Sequence, residues 1–177
     1  VRALDGVDFN IYKGEFCAIV GTSGSGKSTL LNMLAGLEKP TKGEVIISGE
    51  HIEKKNEEEL VKFRRDNVGQ QQRAAIARAL AAKPAIILAD EPTGNLDSHT
   101  SEEVMELMQQ VVREQKKTLV MVTHDNHLAT YADRVFHISD GKIIKIEEHR
   151  SGTEHTEERD KAISGNMNPG DTEYLKR

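Results

Sequence analysis

The chain has 177 residues, 37% of them apolar, and no tryptophan, which is typical of a single soluble globular domain. Its formal charge of −5 argues against a general nucleic-acid-binding protein, because such proteins present a basic surface. No apolar run approaches the roughly 18 residues that a membrane-spanning helix needs, and no signal peptide is recognisable, so we expect no direct membrane insertion. The single cysteine, Cys17, lies in an apolar run, which predicts a buried, unreactive thiol.

The first half of the chain predicts strands and helices in alternation. Residues 7–12 alternate apolar and polar side chains as a half-buried strand does, and residues 15–20 form a short apolar strand of the fully buried type. A glycine-rich loop follows and leads into a predicted helix over residues 27–37. Residues 44–48 predict a third strand, and residues 57–65 predict a short, highly charged helix.

The middle of the chain predicts two further helices around a strand. Residues 70–82 are rich in alanine and predict a helix, and residues 85–89 predict a buried strand. Residues 101–117 predict the clearest amphipathic helix, with Thr100 and Glu103 suited to a capping box at its start. Its predicted apolar stripe comprises Val104, Leu107, Met108, Val111 and Val112.

Three more strands complete the predicted fold. Residues 118–122 form a buried strand, and residues 134–139 and 142–146 form two strands around the turn at Asp140 and Gly141. Because strands alternate with helices and several strands are wholly apolar, the sequence predicts an α/β fold with a largely parallel sheet flanked by helices.

The glycine-rich loop matches a phosphate-binding pattern. Residues 21–28 read GTSGSGKS, the form G-x-x-x-x-G-K-[ST], between a buried strand and a helix. Glycines allow the backbone to point successive N–H groups at phosphate oxygens, Lys27 can reach the β- and γ-phosphates, and the Ser28 hydroxyl can coordinate Mg²⁺. A chance glycine-rich turn is the alternative. We expect ATP to be bound by Gly21, Thr22, Ser23, Gly24, Ser25, Gly26, Lys27, Ser28 and Thr29.

Acidic residues and a histidine follow two of the buried strands. Asp90 ends one apolar run, where it can reach a metal ion, and Glu91 is placed to act as a general base on the attacking water. His124 follows the next buried strand and is a candidate γ-phosphate contact. Paired acids and a lone histidine at strand ends are otherwise usually solvated. In a parallel sheet, however, they share the edge that carries the phosphate loop, where ligands bind.

In this order, the motifs resemble those of the ATPase subunits of ABC transporters. Residues 21–28 resemble Walker A, residues 86–91 resemble Walker B, residues 95–97 resemble the D-loop, and His124 resembles the switch histidine. The resemblance covers residues 1–147, which we assign to an ABC-type ATP-binding domain with a P-loop NTPase core. The residues in and around these motifs are most similar to those of the branch of lipoprotein-release, macrolide and antimicrobial-peptide exporters.

The resemblance implies a function and an assembly. It implies an ATPase that uses ATP and Mg²⁺, with Glu91 and His124 as catalytic residues and Ser28 and Asp90 at the metal. It also implies coupling of ATP binding and hydrolysis to export through a membrane permease partner, with two ATPase subunits paired head to tail. We therefore expect a cytoplasmic protein held peripherally at the inner face of the cell membrane. Soluble ABC proteins of translation or chromosome organisation are a third possibility. They usually carry two cassettes or long coiled coils, and this sequence shows neither.

The sequence departs from the family near Gly69. Residues 64–69 resemble the approach to the strand that ends in the Q-loop glutamine, and residues 69–80 resemble the end of the signature motif and the helix after it. The two stretches are fused, so we expect the helical subdomain, the Q-loop glutamine and a core strand to be missing. The positions of the family signature Leu-Ser-Gly-Gly-Gln read DNVGQ over residues 66–70.

Two interpretations follow from this fusion. The chain is either a transport ATPase or a non-catalytic nucleotide-binding remnant of one. Gln70, Gln71 and Gln72 are expected to form a solvated first helical turn, with nucleotide contact across a dimer as the alternative. Residues 148–177 are polar and lack periodicity, which predicts a disordered tail, with a docking segment as the alternative.

Overall fold

The computed structural model describes residues 3–71, 84, 86–149 and 161–166. Its strands are β1 (Asp8–Tyr12), β2 (Phe16–Val20), β3 (Glu44–Ile47), β4 (Glu50–His51), β5 (Val68–Gln71), β6 (Ile86–Asp90), β7 (Thr118–Thr123), β8 (Arg134–Ser139), β9 (Lys142–Glu148) and β10 (Lys161–Asn166). Its α-helices are α1 (Lys27–Leu34), α2 (Glu57–Asn67), α3 (Ser98–Gln115) and α4 (Asn126–Ala129), and Ile52–Lys54 form a 3₁₀ turn.

The larger sheet has six strands in the order β5-β6-β7-β2-β8-β9. All neighbouring strands run parallel except β8 and β9, which form an antiparallel hairpin. Strands β2 and β7 are buried along their whole length, as expected for a parallel sheet with helices on both faces. The prediction of an α/β fold with a largely parallel sheet is confirmed.

The register of the central strands brings three strand ends to one edge of this sheet. Val20 at the end of β2 pairs with Thr123 at the end of β7, and Asp90 at the end of β6 pairs with Val122. The glycine-rich loop, Glu91 and His124 follow these ends directly, so the fold places them at the same edge.

The two faces of the six-stranded sheet pack into two separate apolar clusters. Along β2, Cys17 and Ile19 point into one cluster, whereas Phe16, Ala18 and Val20 point into the other. Helices α1 and α2 cover the first face through Leu30, Leu31, Leu34, Leu60 and Phe63. Helices α3 and α4 cover the second face through Met105, Met108, Val112 and Leu128. No helix in the described part of the chain is long and apolar enough to cross a bilayer.

The smaller sheet is antiparallel and contains a strand from the C-terminal tail. Its order is β1-β10-β3-β4, so β10 lies between β1 and β3. The prediction that residues 148–177 are disordered is wrong for Lys161–Asn166, because their backbone fills the space between two strand edges. Residues 150–160 and 167–177 lie outside the described residues.

A second difference concerns the fusion near Gly69. Val68–Gln71 form β5, which pairs in parallel with β6 at the edge of the larger sheet. The prediction that a core strand is missing here is therefore wrong. The prediction that no glutamine lies at a strand end is also wrong, since Gln70 and Gln71 end β5. They are also not the first turn of a helix. The rest of the predicted helix over residues 72–82, including Gln72, lies outside the described residues.

Smaller differences concern helix ends and faces. Helix α1 ends at Leu34 because the chain turns at Gly36, whose φ is 68°. Helix α3 begins at Ser98, and its cap is Asp97 rather than Thr100. Its predicted stripe is confirmed at Met108, Val111 and Val112, but Leu107 is exposed and Met105 is buried instead.

The only cysteine should not react in the folded protein. Cys17 is fully buried in β2, and burial, with Glu15 next in effect, raises the pKa of its thiol well above the usual value. Because the thiolate is the reactive form, we expect no labelling by a disulfide reagent under native conditions and complete labelling in urea. The check is to follow labelling and loss of helical signal along one urea titration. Rapid stoichiometric labelling of the native protein would contradict this expectation.

Candidate functional site

The glycine-rich loop joins β2 to α1 and leaves the start of the helix open. The N-cap residue is Gly26, no described side chain caps this helix end, and its first turn holds no acidic residue. The first helical N–H groups therefore lack intrahelical partners, and the helix dipole favours a negative charge in front of them. A Cβ built at Gly24, whose φ is +77°, would meet nothing within 4 Å, so the backbone there borders open space. This end can hold a phosphate group.

Lys27 is a buried cation that the loop itself holds in place. The side chain is 8% exposed, and its Nζ donates hydrogen bonds to the carbonyl oxygens of Gly21, at 2.7 Å, and Thr22, at 2.8 Å. An ammonium group has three N–H donors, so one remains for another acceptor. The arrangement supplies an oriented positive charge beside the open helix start.

Glu91 is fixed in an unusual backbone conformation at the end of β6. Its φ is 45°, which is uncommon for a residue with a side chain, and its N–H donates to the carbonyl of Val122 at 2.9 Å. One carboxylate oxygen lies 2.8 Å from Nδ1 of His124, and the other accepts from the hydroxyl of Thr123 at 3.2 Å. These contacts hold the carboxylate against Thr123 and His124 at the end of β7.

Asp90 lies beside Glu91 and is exposed at the strand end. Burial raises the pKa of Asp90 above its usual value, the charge of Glu91 adds to this rise, and the charge of Lys27 opposes it. Two neighbouring carboxylates repel each other, and a bound cation would relieve the repulsion. Carboxylate and hydroxyl oxygens are suitable ligands for Mg²⁺, so Asp90 and Ser28 fit such an ion.

One open cavity of about 1010 Å³ connects these groups. That volume is sufficient for a nucleoside triphosphate. The predicted site residues that line it are Gly21, Thr22, Ser23, Gly24, Gly26, Lys27, Ser28, Thr29, Asp90, Glu91 and His124. Ser25 does not line it: this residue is buried, and its hydroxyl oxygen has no hydrogen-bond partner among the described residues.

The structure adds lining residues that the motifs do not contain. Ala3, His137, Ile138, Ser139 and Ile144 border the cavity, mostly from the hairpin of β8 and β9. No sequence spacing predicts them, because they reach the loop only through strand order and not through a motif. Asn126, at the start of α4, completes the wall near His124.

Among the described side chains, neither residues 95–97, which resemble the D-loop, nor Asp66 and Asn67 at the signature positions line this cavity. Asp97 accepts hydrogen bonds from the N–H and the hydroxyl of Thr100, at 3.0 and 2.7 Å, and so serves as the cap of α3. These bonds hold the pKa of Asp97 below its usual value. Asp66 pairs with Arg65 at 2.8 Å, and Asn67 donates to the carbonyl of Phe63.

Comparison with known proteins identifies the family. The ABC transporter family profile matches residues 4–68 and 67–94. The MJ0796 protein of Methanocaldococcus jannaschii is described as an uncharacterized ABC transporter ATP-binding protein. It is 36% identical over an alignment 213 positions long, gaps included, that covers 85% of this chain and 91% of that protein. The macrolide export ATP-binding/permease protein MacB of Wolinella succinogenes is 35% identical and covers 84% of this chain, but the match takes up only 32% of its own length.

Solved structures agree with this comparison. A dimeric, post-hydrolysis structure of MJ0796 bound to ADP and Pi superposes with a TM-score of 0.81 and 33% identity, covering 86% of this chain and 93% of that one. CbiO1 from Clostridium perfringens superposes with a TM-score of 0.76 at 24% identity, which supports the fold alone. The chain therefore belongs to the ABC transporter family, as one of its ATP-binding subunits of the ABC ATPase type.

Proposed function

We propose that this chain binds Mg-ATP in the 1010 Å³ cavity and positions water for attack on the γ-phosphate. The observation that carries the proposal is the meeting of Lys27, Asp90, Glu91 and His124 at one sheet edge, in front of an open helix start. Phosphoryl transfer needs mainly positioning and charge stabilisation, and these four side chains supply both.

In the proposed complex, the loop amides and the free donor of Lys27 hold the β- and γ-phosphates. Ser28 and Asp90 hold Mg²⁺, which when bound neutralises charge on the phosphate oxygens. The Lys27 ammonium need not move far, because the carbonyls of Gly21 and Thr22 already fix it beside the loop.

Glu91 is the proposed general base. Its carboxylate accepts a proton from water as the water oxygen bonds to the γ-phosphorus, and the bond to ADP breaks. His124 orients this carboxylate through the 2.8 Å contact, and its side chain, 71% exposed, is free to reach a γ-phosphate oxygen.

We further propose that ATP binding and hydrolysis drive export through a membrane permease partner, with two ATPase subunits paired. The dimeric MJ0796 structures support the pairing. The relative named as a macrolide export ATP-binding/permease protein supports the transport partner. In this arrangement the chain lies in the cytoplasm, peripheral to the inner face of the membrane.

A second candidate function is nucleotide binding with little turnover. The family profile matches in two segments that meet at residues 67–68. The alignment with MJ0796 is 213 positions long, gaps included, whereas this chain has 177 residues. Both observations support an internal segment that the relatives have and this chain lacks. Asp66 and Asn67 stand at positions where the family signature has small or apolar residues, and their side chains make contacts within α2. We therefore expect slow hydrolysis by the isolated chain.

The binding proposal is tested by replacing Lys27 with alanine. Loss of a charge-assisted contact should weaken Mg-ATP binding by about tenfold or more in isothermal titration calorimetry. The matched control is Lys62→Ala, which removes an exposed lysine from α2 and should bind as the wild type does. Equal affinities for Lys27→Ala and the wild type would contradict the proposed site.

A further inference from the structure

Thr123 ends β7 with a buried side chain that bonds in two directions. It is 1% exposed, pairs with Val20 at the end of β2, and is followed directly by His124. Its hydroxyl accepts from the N–H of Asp125 at 3.1 Å and donates to one carboxylate oxygen of Glu91 at 3.2 Å. These roles are fixed by chemistry, since an N–H can only donate and an ionised carboxylate can only accept. The hydroxyl therefore gives its one proton to Glu91.

The backbone of Glu91 does not by itself decide where its carboxylate lies. The φ of 45° and the N–H bond to Val122 fix the start of the side chain. Three rotatable bonds then separate Cα from the carboxylate oxygens. The side chain is 30% exposed, so packing restrains it on one side only. The position of the carboxylate therefore depends on the polar contacts at its far end.

The two side chains that make those contacts differ in freedom. His124 is 71% exposed, and exposed side chains change rotamer freely. Thr123 is buried and branched at Cβ, so few rotamers are open to it. Its hydroxyl is held again by the N–H of Asp125. Of the two partners, only Thr123 is itself fixed, and it can therefore hold the carboxylate in one place.

We propose that Thr123 is the positioning residue for the general base. The inference rests on the proposed hydrolysis and adds to it the group that holds Glu91. Thr123 does not line the 1010 Å³ cavity, so it acts through Glu91 and not on the nucleotide. A carboxylate has about four lone-pair sites, so those left over can still take a proton from water. Because the same hydroxyl bonds Asp125, one threonine fixes the base relative to the loop that carries His124.

The test replaces Thr123 with valine, which keeps the branched shape and removes the hydroxyl. In a single-turnover assay, phosphate release should slow by roughly tenfold or more, because a small displacement of a catalytic group can cost about 100-fold. Mg-ATP affinity in calorimetry should remain that of the wild type, since Thr123 lies outside the cavity. Thr123→Ser brings the hydroxyl back and should restore most of the rate. Wild-type release by Thr123→Val would overturn the inference.

The matched control is Thr118→Val, at the other end of β7. Thr118 is also 1% exposed, and its hydroxyl accepts from the N–H of Gly14 at 3.0 Å. This substitution again removes a buried hydroxyl and leaves one N–H without its acceptor. It should lower stability in urea as Thr123→Val does, while the rate of phosphate release stays unchanged. Equal losses of rate in the two variants would assign the effect to the fold and overturn the positioning role.

A double variant separates this role from the proposed function. In a Glu91→Gln background, Thr123→Val should slow phosphate release no further, because the base that it positions is already absent. A full additional loss would overturn the inference. Wild-type release by Glu91→Gln would instead overturn the proposed base. Slow release by Glu91→Gln beside wild-type release by Thr123→Val would overturn the role of Thr123 alone, and no release by the wild-type chain would overturn both.

Discussion

Replacing Glu91 with glutamine should lower the rate of ATP hydrolysis by about 100-fold or more, the usual contribution of a general base. Glutamine keeps the size of the side chain, and its amide oxygen can still accept from the hydroxyl of Thr123. It cannot take a proton from water, however. Mg-ATP affinity should therefore stay within about twofold of the wild type, since the lost step occurs after binding.

A single-turnover measurement suits a slow enzyme. The chain is kept in excess over ATP labelled at the γ-phosphate, and released phosphate is counted over time. Glu106→Gln, an exposed glutamate on α3, is the matched control and should hydrolyse ATP as the wild type does. Wild-type rates in Glu91→Gln would contradict its role as the base. Binding without phosphate release by the wild type would favour the second candidate function.

Replacing Glu15 with glutamine should lower the free energy of unfolding by about 3 kcal/mol, the lower end expected when a buried ion pair loses one partner. Arg134 Nη1 lies 3.4 Å from both carboxylate oxygens of Glu15, and the two side chains are only 10% and 9% exposed. The substitution leaves a buried guanidinium whose other charged neighbour, Glu148, is 3.8 Å away and half exposed.

Urea denaturation followed by circular dichroism measures this loss. Arg65→Ala removes the exposed pair with Asp66 and should leave stability nearly unchanged, because exposed pairs contribute little. The double variant Glu15→Met with Arg134→Met should recover much of the loss, since two apolar side chains need no partner charge. Equal stabilities for Glu15→Gln and Arg65→Ala would contradict the importance of this buried pair.

The larger sheet could be predicted from sequence because its signals are local. Apolar runs end in glycine or acidic residues, and a parallel sheet brings the ends of such runs together. Lys27, Asp90, Glu91 and His124 could thus be placed at one edge before the structure was known, and the structure brings them to one cavity. Ile144 could not, because its place depends on which strands are neighbours.

Two of the strands that the sequence did not predict, β5 and β10, are defined by their partners. Val68–Gln71 are mostly polar and resemble the start of a helix, yet all four residues pair with Ile86–Ala89 of β6. Lys161–Asn166 show no alternation that predicts a strand, but they fill the space between β1 and β3. Strand formation depends on such neighbours more than on intrinsic preference, so local patterns do not reveal it.

The position of β10 has a consequence for the order in which the protein folds during synthesis. The strand pairs residue 8 with residue 166 and lies between β1 and β3, two of the first strands to leave the ribosome. Every strand of the six-stranded sheet is translated before it. Closing so long a loop of chain is slow, and proximal segments generally fold first during translation. The nascent chain should therefore assemble its nucleotide site early and complete its N-terminal sheet last, when the C-terminal strand arrives.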